Sequence, residues 1–397
     1  MTPKMKNPEL NAWCDYPEVS VPHADDGPLS GLTLAVKDIF QVAGYPNGWG
    51  QPTRLAEAEP DTETQSVVQK LLDAGIEIKG KSQCEELCFS LTGINKHYGA
   101  PVNGAAPDRV SGGSSSGSAS LVSNGIVDVA TGSDTGGSVR APASYCGLIG
   151  LRPTHGRLSL DRTMPLAESY DVFGWFTRDA ETFSKVGDVV LEDDADKTPL
   201  RRLIASPDID QLLLGDDDYI AYAKGAEKIE KQFDDERTFD NLPFDLTKAY
   251  WAFRKCQAYE AWQSLGDWIT SRKPDLAPVI KERFDFGASI TKQEFEQSTG
   301  DRIEVRTALE DWIGDDGLLV LPTVPSCAPL KNEPEEALQA FREQALMLLC
   351  LSGNSGLPQI TLPLAEVYGA PLGVSLIGPR GSDKRLIAIT RSLLSAH

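Results

Sequence analysis

A serine that follows two glycines, as in Gly136-Gly137-Ser138, is placed for nucleophilic attack on a carbonyl. Glycine lets bare main chain approach a substrate closely, and successive N–H groups then hold the oxyanion that the attack creates. The surrounding stretch, Ser111 to Ile149, reads SGGSSSGSASLVSNGIVDVATGSDTGGSVRAPASYCGLI: two Gly/Ser loops flank an apolar run. A flexible Gly/Ser linker carries no such run, nor does it end in an Asp-Thr-Gly-Gly-Ser-Val-Arg turn. These residues form the candidate active site.

Gly112-Gly113-Ser114-Ser115-Ser116-Gly117-Ser118, with Gly132-Ser133-Asp134-Thr135-Gly136-Gly137-Ser138-Val139-Arg140, resembles the signature of the amidase signature family of serine hydrolases. Ser114 and Ser138 are 24 residues apart, the spacing that family shows. Its lysine lies upstream in a Gly-Leu-x-x-x-x-Lys-Asp motif, which Gly31-Leu32-Thr33-Leu34-Ala35-Val36-Lys37-Asp38 matches. The resemblance implies a Ser–cis-Ser–Lys triad, with Ser138 as nucleophile, Ser114 as proton relay behind a cis peptide, and Lys37 as base. Backbone N–H groups of Thr135, Gly136, Gly137 and Ser138 would form the oxyanion hole. A lysine accepts a proton only when neutral, which demands burial or neighbouring donors. Arg140 and Asp134 are expected to pair and brace the nucleophile loop.

The implied reaction is hydrolysis of a primary amide to carboxylate and ammonia through an acyl-enzyme on Ser138. The partner is then a small-molecule amide, and neither cofactor nor metal is implied. Three stretches, Asn95 to Gly99, Val139 to Gly147 and Arg152 to Gly156, are similar to the plant amidases that hydrolyse indole-3-acetamide. Aryl-acetamides are therefore the expected substrates. Gly112, Gly113, Trp49, Tyr170, Phe173 and Trp175 are candidates for the acyl pocket, and an ordinary core role for the aromatics is the competing reading. The competing functions are the glutamine amidohydrolase subunit of a tRNA-dependent amidotransferase, an esterase or hydrolase of small urea-derived amides, and a silent scaffold.

Two further motifs are decoys. Gly75-Ile76-Glu77-Ile78-Lys79-Gly80-Lys81-Ser82 matches the P-loop pattern, yet its Ile76 and Ile78 alternate as in a strand and a helical pattern precedes it. Gly113-Ser114-Ser115-Ser116-Gly117 matches the nucleophile elbow, but loop residues stand where the elbow needs a buried strand. Histidines are also scarce: His23 and His397 lie near the termini, leaving His97 and His155.

The elements that must position these residues follow from periodicity. Residues 31–40 read as a buried strand running into Lys37-Asp38, and Val67, Val68, Leu71 and Leu72 recur at helical spacing before Gly75. Ser115 to Asn124 predicts a small-residue helix closed by Gly125, and Ile126 to Ala130 a short strand delivering the Ser138 turn. Residues 195–310 are charged and rich in helix formers, with helices over Ala221 to Phe233 and Lys248 to Thr270, and read as a helical layer. Leu318 to Thr323 reads as a strand, and Gly356 to Pro363 and Pro371 to Gly378 as a strand pair. The expected fold class is α/β: a single amidase-signature domain over 1–397, with a mixed central sheet covered by helices on both faces. Its signature core would span 31–175, and its C-terminal strands 315–397.

With 41% hydrophobic and 24% charged residues, the chain has the composition of a globular enzyme. A net charge of −20 argues against nucleic-acid or anionic-membrane partners. No run is long enough for a membrane helix, and MTPKMKNPELNAWCDYPEV lacks the apolar core of a signal peptide, so a cytoplasmic location is expected. Assembly as a homodimer is left open. Seven cysteines suit free thiols better than a disulfide framework, and Cys84 and Cys88 lack a second pair to complete a zinc site.

Overall fold

The structure is a computed structural model, and it describes residues 7–234 and 237–395. His397 and the first six residues of the stretch read for a leader lie outside them. The strands are β1 (Thr33–Lys37), β2 (Glu77–Ser82), β3 (Val129–Asp134), β4 (Ile149–Arg152) and β5 (Val172–Thr177). After these come β6 (Arg202–Ala205), β7 (Thr238–Phe239), β8 (Gly317–Pro322), β9 (Gln359–Val367) and β10 (Ala370–Ile377). The helices of the first half are α1 (Pro52–Glu57), α2 (Ser66–Asp73), α3 (Ser116–Ser123), α4 (Arg140–Tyr145), α5 (Ala180–Val190) and α6 (Pro207–Asp210). Those of the second half are α7 (Asp216–Glu230), α8 (Leu246–Arg272), α9 (Pro278–Ser289), α10 (Lys292–Ile313), α11 (Glu335–Ser355) and α12 (Asp383–Ser395).

All ten strands join one sheet in the order β2-β1-β3-β5-β4-β9-β10-β8-β6-β7. It is mixed: β2, β1 and β3 run parallel, as do β8, β6 and β7, and the intervening pairs are antiparallel. Side-chain alternation sorts the core. Leu34, Val36, Phe173 and Trp175 point to one face, where they meet Val68 and Leu71 of α2 and Phe183 and Val186 of α5. Ala35, Ala130 and Phe176 point to the other, against Ala119 of α3 and Ala143 of α4. Farther along the sheet, Leu319, Leu321 and Ile377 meet Leu309 of α10 and Leu348 and Leu351 of α11. The fold is thus α/β, a mixed sheet with helices on both faces.

Two expectations are corrected. The region 195–310 contributes β6 and β7 to the sheet as well as helices, so it is more than a layer over it. The strand expected over 126–130 runs instead from Val129 to Asp134, because Thr131 to Asp134 pair with β5 despite their loop-like composition. The P-loop look-alike is confirmed as strand: Lys81 sits in β2, its Nζ bonded to the carbonyl of Phe40 and 3.7 Å from the Asp38 carboxylate.

Candidate active site

Lys37 is the last residue of β1 and has no solvent exposure. Its backbone N–H donates to Thr131 Oγ1 at 2.9 Å, which ties the end of β1 to the middle of β3. Its Nζ lies 2.8 Å from Ser114 Oγ and 2.8 Å from Ser133 Oγ, donating to both. Ser114 follows a cis Gly113–Ser114 peptide, and its carbonyl accepts from the Glu85 N–H at 3.0 Å. Ser133, on β3, was not foreseen; with its neighbourhood read as loop, nothing in the local pattern marked it as facing Lys37.

Ser138 lies in the turn between β3 and α4 and is buried. Asp134 holds this turn from beneath. Its Oδ1 accepts the Gly137 N–H at 2.8 Å, and its Oδ2 accepts those of Val139 and Arg140 at 3.1 and 3.3 Å. The expected Arg140–Asp134 pair is present at 2.8 Å, and Arg152 adds a second ion pair at 3.0 Å. Burial alone would raise the Asp134 carboxyl, but the two guanidinium groups and the amide donors hold it well below the usual range. Arg140 also reaches Leu349 O and Gln359 Oε1, both at 2.7 Å, and Arg152 reaches Tyr170 O at 2.7 Å. Both arginines are thereby committed to the framework.

The Gly137 amide, expected among the oxyanion donors, is engaged by Asp134 and drops out of that set. Among the described residues, the amides of Thr135, Gly136 and Ser138 have no protein hydrogen-bond partner. The Ser138 hydroxyl likewise forms no hydrogen bond with Ser114 or any other described residue. The Thr135 hydroxyl donates to Asp171 Oδ1 at 2.5 Å, and burial pushes the Asp171 carboxyl up to about 6, against the hydrogen bonds it accepts. Among the described residues no histidine is hydrogen-bonded to Lys37, Ser114 or Ser138: His97 Nε2 sits 2.9 Å from Glu86, and His155 Nε2 3.1 Å from the Glu168 carbonyl.

Helices from the second half of the chain close over the turn. A Cβ placed on Gly136 would come within 2.8 Å of Phe253 and 3.0 Å of Gln257, both on α8; one on Gly137 would come within 2.4 Å of Leu349 on α11. Gly137, at φ +119°, thus needs glycine for its conformation as well as for space. Gly112 (φ +76°) packs on Tyr145, and Gly113 on the Glu85 carboxyl. Gln257 is 5% exposed, and its amide has no hydrogen-bond partner among the described residues. Phe253, Gln257 and Leu349 escaped sequence reasoning because nothing local links them to the serine loops.

Of the expected pocket aromatics, Trp175 is fully buried and stacks on Phe183 of α5 at 5.0 Å, and Phe173 packs on Phe40 at 4.8 Å. Both belong to the core beneath the sheet, which corrects the expectation for them. Tyr170 is buried edge-on against Phe253 at 5.2 Å, one layer behind the turn. Trp49 is half-buried between Arg54, 4.4 Å from its ring centroid, and Trp268, 6.5 Å away.

The family model described as Amidase matches residues 15–249. The chain belongs to the amidase signature family. It is 36% identical to Amidase 1 of Oryza sativa subsp. japonica, over 94% of this chain and 92% of that protein. It is also 36% identical to Amidase 1 of Arabidopsis thaliana, over 98% of both. A solved structure titled "Crystal structure of amidase" superposes with a TM-score of 0.82 at 28% identity, covering 93% of this chain and 85% of that one. This amidase is accordingly a hydrolase of amide C–N bonds. Among its described residues no helix is long and apolar enough to cross a membrane.

Proposed function

We propose that Ser138, Ser114 and Lys37 carry out amide hydrolysis as nucleophile, relay and base. The observation that carries this reading is the buried Lys37 amine bonded to Ser114 Oγ at 2.8 Å. In the acylation step the Lys37 amine, acting as base, takes the Ser114 proton as Ser114 takes that of Ser138. The Ser138 oxygen forms its bond to the amide carbon, and the resulting oxyanion faces the amides of Thr135, Gly136 and Ser138. As the C–N bond breaks, the proton returns through Ser114 to the leaving nitrogen, and ammonia departs. Water then repeats the sequence on the acyl-enzyme and releases the carboxylate. The Ser138–Ser114 hydrogen bond forms with substrate in place, since catalytic contacts commonly tighten only in the Michaelis complex. No step calls for a cofactor. The cytoplasm is the compartment this reading assigns.

Labelling by a fluorophosphonate tests the assignment. The adduct is expected on Ser138; an adduct on Ser114 or Ser115, or undiminished labelling of the Ser138→Ala variant, would overturn it. Release of ammonia from glutamine only alongside a tightly bound partner chain would instead favour the amidotransferase-subunit reading.

A further inference from the structure

Two helices border the nucleophile turn, and both continue away from it carrying arginine. On α11, Arg342 lies seven residues before Leu349, two turns along the same face and about 10 Å away. On α8, Arg254 lies one turn before Gln257. The helices are tied together there by Glu343: it accepts from Arg342 Nη1 at 2.6 Å, lies 3.4 Å from Arg254 Nη1, and takes the Tyr250 hydroxyl. Arg283 of α9 joins the group, donating to the Phe89 carbonyl and to Gln339 Oε1 at 2.9 Å.

The charges in this cluster do not balance. Arg342 and Arg254 share a single carboxylate, Glu343, and Arg283 donates to neutral oxygens, so positive charge is in excess. Arg342 is 4% exposed and Arg283 6%, so bulk water does little to solvate them. The Nε atoms of Arg342 and Arg254 are buried without a partner. Burial and the neighbouring arginines push Arg342 down to about 10 and Arg283 well below its ordinary value. A buried guanidinium with unused donors is the usual receptor for a planar carboxylate.

We propose that Arg342, with Arg254 and Arg283, binds a carboxylate at the far end of the substrate, so that the preferred substrates are monoamides of short dicarboxylic acids. The amide end then lies at Ser138 and the chain runs between Gln257 and Leu349. This inference rests on the hydrolase reading above and competes with the aryl-acetamide expectation, three of whose four aromatics, Tyr170, Phe173 and Trp175, are fully buried.

The test compares kcat/KM for monoamides of dicarboxylic acids of graded chain length with that for the uncharged diamides of the same lengths. The wild-type chain is expected to favour the monoamide at least tenfold at its best length. In Arg342→Gln and Arg254→Gln that ratio is expected to fall to about threefold or less. Equal rates for the two series in the wild-type chain, or an unchanged ratio in both variants, would overturn the proposal. The wild-type comparison stands even if a variant fails to fold. Calorimetric binding of the dicarboxylates to Ser138→Ala separates the two readings. If no amide is cleaved but the dicarboxylate binds and the diamide does not, the hydrolase assignment fails and the carboxylate site stands. If amides are cleaved with no preference for charge, the carboxylate site fails and the hydrolase assignment stands.

Discussion

At Lys37 a single nitrogen serves two hydroxyls, and the second, Ser133, lies outside the proposed relay. Its hydrogen bond takes one N–H of the amine and fixes the direction in which the nitrogen meets Ser114. Ser133→Ala is expected to lower kcat roughly tenfold, far less than the thousandfold or greater loss expected for Ser138→Ala or Lys37→Ala. Equal losses for Ser133→Ala and Lys37→Ala would show that Ser133 transfers protons itself. Four residues on, the backbone sets the limit. Gly137→Ala would force a side chain at φ +119° into Leu349, at a cost of about 1–3 kcal/mol. Chemical denaturation of that variant, read beside its kcat, should show both fall; unchanged stability would mean that the turn relaxes freely.

At the scale of elements, the strand that ends at Lys37 and the small-residue helix α3 were legible because alternation, helical spacing and glycine punctuation leave a local record. What lay beyond reach is long-range. Ser133 belongs to a strand whose Gly and Ser look like loop, and only pairing with β5 makes it one. Helix α11 is buried on nearly every side from Leu346 to Ser355, so it has no amphipathic stripe to announce it. Phe173 and Trp175 failed as pocket residues for a related reason. Sequence marks them as large and apolar, but only the register of β5 decides that they face α5. Trp175→Ala should therefore cost about 3–5 kcal/mol of stability, and in the protein that remains folded it should leave KM within about twofold. Phe253→Ala, against the turn itself, should shift KM instead. The reverse pattern would return Trp175 to the pocket.

For the whole molecule, two buried aspartates give opposite pH dependences. Asp171, pushed up to about 6, binds a proton in the folded chain that the unfolded chain has already lost. Its contribution therefore falls as pH rises from about 4 to about 6, by roughly 3 kcal/mol. Asp134 is held below the usual range, so its contribution is full above about 4 and is lost only as pH drops further. Unfolding free energies at pH 4 and 6.5 should show Asp171→Asn flattening the decline across that window. A decline as steep as in the wild type would assign it to other groups.

Phe253, Gln257, Arg342 and Leu349 all lie beyond residue 249, where the family model's match ends, while Lys37, Ser114 and Ser138 lie within it. The proposed bond-breaking residues and the side chains that border the nucleophile turn thus come from different stretches of one chain. The first is held in place by strand pairing and the Asp134 network, so its geometry does not depend on the identity of the side chains that α8 and α11 present to the turn. A chimera that takes residues 246–355 from a relative should acquire that relative's choice of acyl group and keep its own nucleophile.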